Sequence, residues 1–111
     1  MRIEHEVSER GILVRLAGEL DVASADAFRN TADRLLAATG SMRLFLNLEG
    51  VTFIDSSGLG AILGRYKRIS QMNGRMGIIG AAPQVRTILE LSGILKIIPL
   101  FDSEARALES R

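Results

Sequence analysis

The sequence predicts an α/β fold, in which a mixed, mostly parallel sheet begins with an antiparallel hairpin and is covered by about four helices. Strand-like and helix-like segments alternate along most of the chain, which is typical of a sheet packed against helices. Residues 44–48 (LFLNL) are almost continuously apolar, as expected for a strand that helices bury. Because no repeat, low-complexity segment or linker divides the chain, we expect a single domain over residues 1–111.

The N-terminal segment predicts the hairpin. Ile3, His5 and Val7 alternate with charged residues, which indicates an exposed or edge strand. Gly11 favours a tight turn after a short polar stretch. Residues 12–17 (ILVRLA) then read as the second strand.

After the hairpin, three helices are expected from the spacing of apolar residues. Ser24 is a suitable N-cap for the first helix, and Gly40 is a natural stop. The second follows the strand-like segment 51–54 (VTFI), and the third begins near Pro83 and ends at Gly93. The positions expected on the inner sides are Phe28, Ala32, Leu35, Leu36 and Thr39 in the first helix, Leu59, Ile62, Leu63, Tyr66 and Ile69 in the second, and Val85, Ile88, Leu89 and Leu91 in the third.

Two more strands complete the predicted sheet. Residues 76–79 (MGII) form one, and residues 96–101 (KIIPLF) form the last. Pro99 cannot donate a backbone hydrogen bond, which places this last strand at an edge. Asp102 or Ser103 is a suitable cap for a short C-terminal helix.

Composition and charge narrow the classes of function. The chain has 14 Lys and Arg against 13 Asp and Glu, so a net charge of +1 gives no general attraction to nucleic acid or to an anionic membrane. There is no cysteine, which excludes disulfides and Cys-based zinc sites and fits a reducing compartment. The charged start of the chain does not resemble a secretion signal. We therefore expect a cytoplasmic protein without a cofactor or metal.

The segment Asp55-Ser56-Ser57-Gly58 joins a strand to an amphipathic helix. The first turn of a helix leaves backbone N–H groups free, which a Ser or Asp side chain can cap and which also favour an anion. A phosphate on either serine would add about −1.5 to −2 charges beside Asp55. Taken alone, the motif is better explained as a cap, because any strand-to-helix corner favours Asp, Ser and Gly. Its pattern does not decide which polar residue is the N-cap.

The next turns of this helix contain small residues. Gly60, Ala61 and Gly64 predict a smooth outer strip, followed by the basic residues Arg65, Lys67 and Arg68. Glycine within a helix costs about 1 kcal/mol relative to alanine, so two glycines indicate that another surface approaches closely. That surface is either a partner protein or another element of the same domain.

Three segments together resemble the STAS domain family, and within it the anti-sigma factor antagonists, above all those of sporulation. They are LAGELD at residues 16–21, LNLEGVTFIDSSGLGAILGRYKRI at residues 46–69, and LSGILKII at residues 91–98. The likeness covers almost the whole chain. It implies a STAS fold and a regulatory protein that is not an enzyme.

The resemblance also implies a switch. In that family a small STAS protein, monomeric when free, binds a dimeric anti-sigma factor that is also an ATP-dependent serine kinase, and the sigma factor is released. The kinase phosphorylates the first serine of the motif, here Ser56, and the product no longer binds the kinase. A PP2C-type phosphatase restores the binding form.

By the same resemblance, residues 18–21 lie beside the start of the second helix and form the docking surface with it. Val22 and Ala23 stand where sporulation members often carry two histidines, which leaves the choice of partner open. The candidate contacts are Glu19, Asp21, Asp55, Ser57, Gly58, Leu59, Gly60 and Arg65.

Other functions fit the residues less well. An antagonist of general-stress type and a STAS scaffold subunit remain alternatives within the family. Against an enzyme, His5 is the only histidine and no G-x-S-x-G elbow is present. Against a nucleotide-binding protein, the glycines at 58, 60 and 64 miss the dinucleotide fingerprint by one residue, and there is no phosphate-loop lysine motif.

Overall fold

The computed structural model describes all 111 residues and has the predicted α/β architecture. Its sheet has the strand order β1-β2-β3-β4-β5, in which β1 is antiparallel to β2 and all other neighbours are parallel. The strands are β1 (Arg2–Ser8), β2 (Gly11–Leu20), β3 (Arg43–Ile54), β4 (Arg75–Ile79) and β5 (Leu100–Phe101). The helices are α1 (Ala25–Thr39), α2 (Ser56–Gln71), α3 (Pro83–Ser92) and α4 (Glu104–Glu109). The predicted hairpin, mixed sheet and four helices are confirmed.

The helices cover the two faces of the sheet unequally. The helices α1, α2 and α3 share one core of 23 buried residues with one face of β2, β3 and β4. The short helix α4 covers part of the other face through a smaller cluster of Leu13, Phe45, Ile79 and Ala107. None of the four helices is long and apolar enough to cross a membrane.

The strand β3 is longer than predicted, because residues 44–48 and 51–54 belong to one continuous strand. Its pairing with β2 shifts by one residue between Arg15 and Ala17 and again between Gly18 and Glu19. Each shift is a bulge that leaves an extra β3 residue unpaired. Buried residues of β3 are therefore spaced by three after Leu48, which breaks the strand period of two and made one strand resemble two segments. The same pairing extends β2 to Leu20, three residues beyond the prediction.

The N-terminus of α1 differs in detail from the prediction. Ser24 does occupy the N-cap position, but its side chain does not cap the helix. Its hydroxyl instead donates to the carbonyl of Glu19 over 2.7 Å and accepts from the N–H of Asp21 over 3.0 Å. Gly40 ends the helix in the left-handed conformation with φ of 69°, as its residue type predicts.

Four predicted positions on the inner or outer sides of the helices were wrong. Thr39 is exposed at the end of α1. Leu91 is 84% exposed because it lies two residues beyond Leu89, which places it on the opposite side of α3. In α2, Ala61 is completely buried and not part of the outer strip, whereas Leu63 is on the exposed side. The inward side of α2 is therefore rotated relative to the predicted one.

Only the last two residues of the segment predicted as the last strand, residues 96–101, form a strand. Residues 94–96 form a 3-10 turn after Gly93, and only Leu100 and Phe101 pair with β4. The side chains of Ile94 and Ile98 are both buried, a spacing of four that is typical of a helical turn. The strand does lie at a sheet edge, as Pro99 predicted.

Candidate partner-docking site

The structure identifies Asp55 as the N-cap of α2. Its carboxylate Oδ1 accepts from the N–H of Ser57 over 2.9 Å and from the N–H of Gly58 over 3.1 Å. This arrangement is the usual way in which a carboxylate satisfies free donors at the start of a helix. The expectation that these N–H groups would favour a second anion is thereby corrected, because Asp55 already occupies two of them.

The two serines of the motif differ in accessibility. Ser56 is the first residue of α2 and is exposed, and its hydroxyl makes no hydrogen bond within the chain. Ser57 is half-buried. Of the two hydroxyls, that of Ser56 is therefore the more accessible to another protein.

The end of β2 lies directly beside this corner, as predicted. Leu20 is the register partner of Ile54, and its carbonyl accepts from the N–H of Asp55 over 3.3 Å. Asp21 follows at the end of the strand, and its Oδ1 accepts from the backbone N–H groups of residues 23 and 24. With the exposed Glu19 and with Asp55, this aspartate makes the corner acidic.

The solvent-facing side of α2 is smooth. A Cβ atom added to Gly60 or to Gly64 would meet no other atom within 4 Å. Leu59 is half-buried and packs partly against the core. Exposed apolar side chains stand on the same segments, namely Val22 after β2, Phe53 near the end of β3 and Leu63 on α2. Exposed apolar groups within a polar rim are typical of a protein-binding surface.

Two of the predicted contacts have internal roles. Gly58 is buried, and a Cβ atom there would come within 2.5 Å of the carbonyl oxygen of Leu20. Arg65 is only 13% exposed, and its Nε lies 3.1 Å from Oδ1 of Asp33 on α1. This contact is an ion pair without good hydrogen-bond alignment. We therefore reassign Gly58 and Arg65 from direct contacts to residues that hold α2 in place.

A different electrostatic network lies on the far face of the sheet. Glu104 of α4 accepts from Arg15 of β2 through two hydrogen bonds of 2.7 and 2.8 Å, and also from Asn47 of β3. These bonds, led by those from Arg15, lower the pKa of Glu104 below its ordinary value, and the same pair raises the pKa of Arg15. This network joins α4 to the sheet and has no counterpart among the sequence predictions.

The fold and this corner define the class of protein. The chain matches the STAS domain family over residues 2–107, and it belongs to that family. This result confirms the resemblance drawn from the three sequence segments.

Individual relatives and solved structures agree with this family assignment. The chain is 41% identical over 108 residues to an anti-sigma F factor antagonist of Paenibacillus polymyxa, covering 97% of this chain and 92% of the relative. Among solved structures, an anti-sigma factor antagonist from Mycobacterium paratuberculosis is 25% identical with a TM-score of 0.85, covering 96% of this chain and 90% of the other. The phosphorylated form of the Bacillus cell fate determinant SpoIIAA is 26% identical with a TM-score of 0.76, covering 97% of each chain.

Proposed function

We propose that this chain is an anti-sigma factor antagonist controlled by phosphorylation. Its unmodified form binds an anti-sigma factor that is also a serine kinase, so that the sigma factor is released. Phosphorylation of Ser56 then prevents this binding. The observation that carries the proposal is the hydroxyl of Ser56, which is exposed and has no hydrogen-bond partner within the chain, at the acidic corner beside β2.

The choice of Ser56 over Ser57 rests on access. A kinase must surround the acceptor oxygen, which requires an exposed hydroxyl without internal partners. Ser56 meets this condition, whereas Ser57 is half-buried. The phosphorylated SpoIIAA structure has the same fold, which is consistent with a STAS domain accepting a phosphate without a change of architecture.

The electrostatics of the corner explain how one phosphate can prevent docking. The modification adds about −1.5 to −2 charges next to Asp55, whose carboxylate already uses two of the nearest backbone donors. In a complex, the phosphate would lose water without gaining those donors. Like charges forced together in an interface cost several kcal/mol, and each 1.4 kcal/mol lowers affinity about tenfold.

The comparisons favour an anti-sigma F factor as the binding partner. The identity to the anti-sigma F factor antagonist is 41% over 97% of the chain, but only 27% over 85% of the chain to an anti-sigma-B factor antagonist of Staphylococcus aureus. We therefore propose a sporulation-type switch, and we expect the protein to act in the cytoplasm. Its partners there are a dimeric, ATP-dependent anti-sigma kinase and a PP2C-type phosphatase. It acts by binding and not by catalysis.

Mass spectrometry after incubation with a purified anti-sigma F factor and ATP tests the acceptor. We expect one phosphate, located on Ser56, and none on the Ser56→Ala variant. Ser57→Ala is the matched control, because it removes the neighbouring hydroxyl and leaves the acceptor in place. Phosphate on Ser57, or no phosphate with either an anti-sigma F or an anti-sigma-B kinase, would contradict the proposal.

Binding measurements test the switch itself. Isothermal titration calorimetry should show that Ser56→Ala binds the anti-sigma factor like the native chain, whereas Ser56→Asp and the phosphorylated chain bind at least tenfold more weakly. Preferential capture of an anti-sigma-B factor would move the protein to the general-stress type. Equal affinity of the phosphorylated and unmodified chains would exclude the electrostatic switch.

A further inference from the structure

A basic groove lies at the end of the sheet opposite to the Ser56 corner. It is found where the parallel strands β3 and β4 begin, whereas Ser56 follows the end of β3. Its cavity volume is about 410 Å³. The lining residues are Met42, Arg43, Asn73, Gly74, Arg75 and Arg111, three of which are arginines.

Two of these arginines are neighbours in the sheet and form no ion pair. Arg43 and Arg75 are register partners, each at the first position of its strand. Like charges placed directly opposite each other on neighbouring strands are destabilising. No carboxylate lies within 4.0 Å of either guanidinium, because every ion pair of the chain involves other residues. Neither positive charge is therefore compensated by an ion pair within the chain.

Arg43 is held firmly by neutral groups. Its Nε donates to the carbonyl of Arg10 over 2.7 Å, and its Nη2 donates to the carbonyl of Ser110 over 2.8 Å. Its guanidinium carbon also lies 5.2 Å from the centre of the Phe45 ring. These contacts fix the orientation of the guanidinium and leave its full positive charge unpaired, which is the condition of a preorganised anion ligand.

Arg75 has an unpaired donor. Its Nε is buried and has no hydrogen-bond partner. A buried charged donor without an acceptor is rare in folded proteins and requires an explanation. The backbone N–H of Arg75 donates to the carbonyl of Met42 over 2.7 Å, so the start of β4 is fixed while the side chain lacks a partner.

We propose that this groove binds the phosphate group of a phosphomonoester. A dianion would compensate both positive charges together. Arg43 would donate from Nη1, because its Nε and Nη2 already donate to backbone carbonyls. The cavity has the size of a small-molecule pocket, typically about 300–1,000 Å³, so it also accommodates an organic group on the phosphate. The site is independent of Ser56 and of the proposed switch.

Titration of the full chain with inorganic phosphate and with glycerol phosphate, followed by nuclear magnetic resonance at constant ionic strength, tests the site. We expect the amide signals of residues 43 and 73–75 to shift, with glycerol phosphate binding at least as tightly as phosphate. Acetate and chloride should shift them much less. Arg75→Gln should bind at least tenfold more weakly, and Arg75→Lys should be intermediate because it keeps the charge and loses the planar fork. Arg34→Gln, an exposed position outside the groove, is the matched control and should bind like the native chain.

Thermal unfolding gives a second readout. Without phosphate at low salt, Arg75→Gln should be at least as stable as the native chain, because it removes one of two repelling charges. Phosphate should raise the Tm of the native chain and not that of Arg75→Gln. Equal phosphate responses in the two chains, or an acetate response as large as that to phosphate, would overturn the proposal.

Sedimentation with vesicles that contain phosphatidic acid identifies the source of the phosphate. Binding that Arg75→Gln abolishes would assign the groove to a lipid headgroup. A response to glycerol phosphate without vesicle binding would assign it to a soluble phosphomonoester. The absence of both would overturn the proposal.

Discussion

The inner and outer sides of α2 both use glycine, for opposite reasons. On the inner side, a Cβ atom at Gly58 would lie 2.5 Å from the carbonyl oxygen of Leu20 and 2.8 Å from its Cγ. On the outer side, a Cβ atom added to Gly60 or Gly64 would meet no atom of another element within 4 Å. The inner glycine is required by the packing of α2 on β2, whereas nothing inside the chain requires the outer two. A residue that the chain itself does not need is a candidate for contact with another molecule.

The largest expected effect is that of Gly58→Ala. The added methyl group would collide with the backbone carbonyl of Leu20 as well as with the side chains of Leu20 and Ile54, so α2 or the end of β2 must move. We expect the free energy of unfolding to fall by about 3 kcal/mol, at the upper end of overpacking costs. Urea denaturation followed by circular dichroism measures this, and Gly60→Ala on the outer side is the matched control. A loss below 1 kcal/mol would show that the two sides do not differ as the structure indicates.

Asp55→Ala should have the next largest effect. The variant loses the carboxylate that accepts from two N–H groups at the start of α2, so we expect a loss of about 1 to 2 kcal/mol. The same denaturation measurement applies. Ser57→Ala removes a neighbouring side chain that caps nothing and should cost less than 0.5 kcal/mol, within the range of ordinary surface changes. Equal losses for the two variants would contradict the assignment of Asp55 as the cap.

Gly60→Ala and Gly64→Ala should act in the opposite direction to Gly58→Ala. Each replaces glycine by the best helix former at an open position, so each should stabilise the chain by about 0.8 kcal/mol. If a partner approaches this strip closely, both variants should also bind the anti-sigma factor more weakly. Stability and calorimetric affinity must therefore be measured on the same variants. Stabilisation with unchanged affinity would remove the outer side from the docking surface.

The smallest effect concerns the far face of the sheet and depends on pH. Because Arg15 lowers the pKa of Glu104 below its ordinary value near 4.5, this group stabilises the fold above that value. The contribution is lost as the pH falls through the lowered pKa. Glu104→Gln should therefore flatten the decrease of the unfolding free energy below pH 5. The exposed Glu49→Gln, which breaks no ion pair, should leave the pH profile unchanged. If the unfolding free energy of Glu104→Gln decreased below pH 5 as steeply as that of the native chain, this role of Glu104 would be contradicted.

Local signals in the sequence were sufficient to predict most of the fold. The hairpin follows from alternation and a turn glycine, and the helix ends follow from Gly40 and Gly93, which adopt the left-handed conformation. The sequence could not fix the register of α2 on the sheet, because Leu63 and Ala61 are both apolar and packing alone selects the smaller one for burial. It likewise could not show that residues 94–98 fold into a turn.

The candidate site was predictable in part. The position of the serines at a strand-to-helix corner follows from the local pattern, and the neighbouring end of β2 was inferred from resemblance alone. The internal roles of Gly58 and Arg65 depend on contacts with β2 and α1, which residue type does not reveal. The pairing of Arg43 with Arg75 depends on the register of two strands that are distant in sequence. Only the three-dimensional arrangement brings such charges together.

The two register shifts along β3 bear on how this protein tolerates insertions and deletions. Each bulge holds one β3 residue without a partner on β2, so the inward positions after Leu48 follow the pairing and not the strand period of two. Removing one residue between Leu48 and Val51 would make this part of the ladder regular and leave Val51 and Ile54 opposite the same β2 residues. Removing two would slip the later register by one residue, turn Ile54 towards solvent and move the start of α2 relative to β2. The strand before the serine corner therefore tolerates the loss of one residue better than the loss of two.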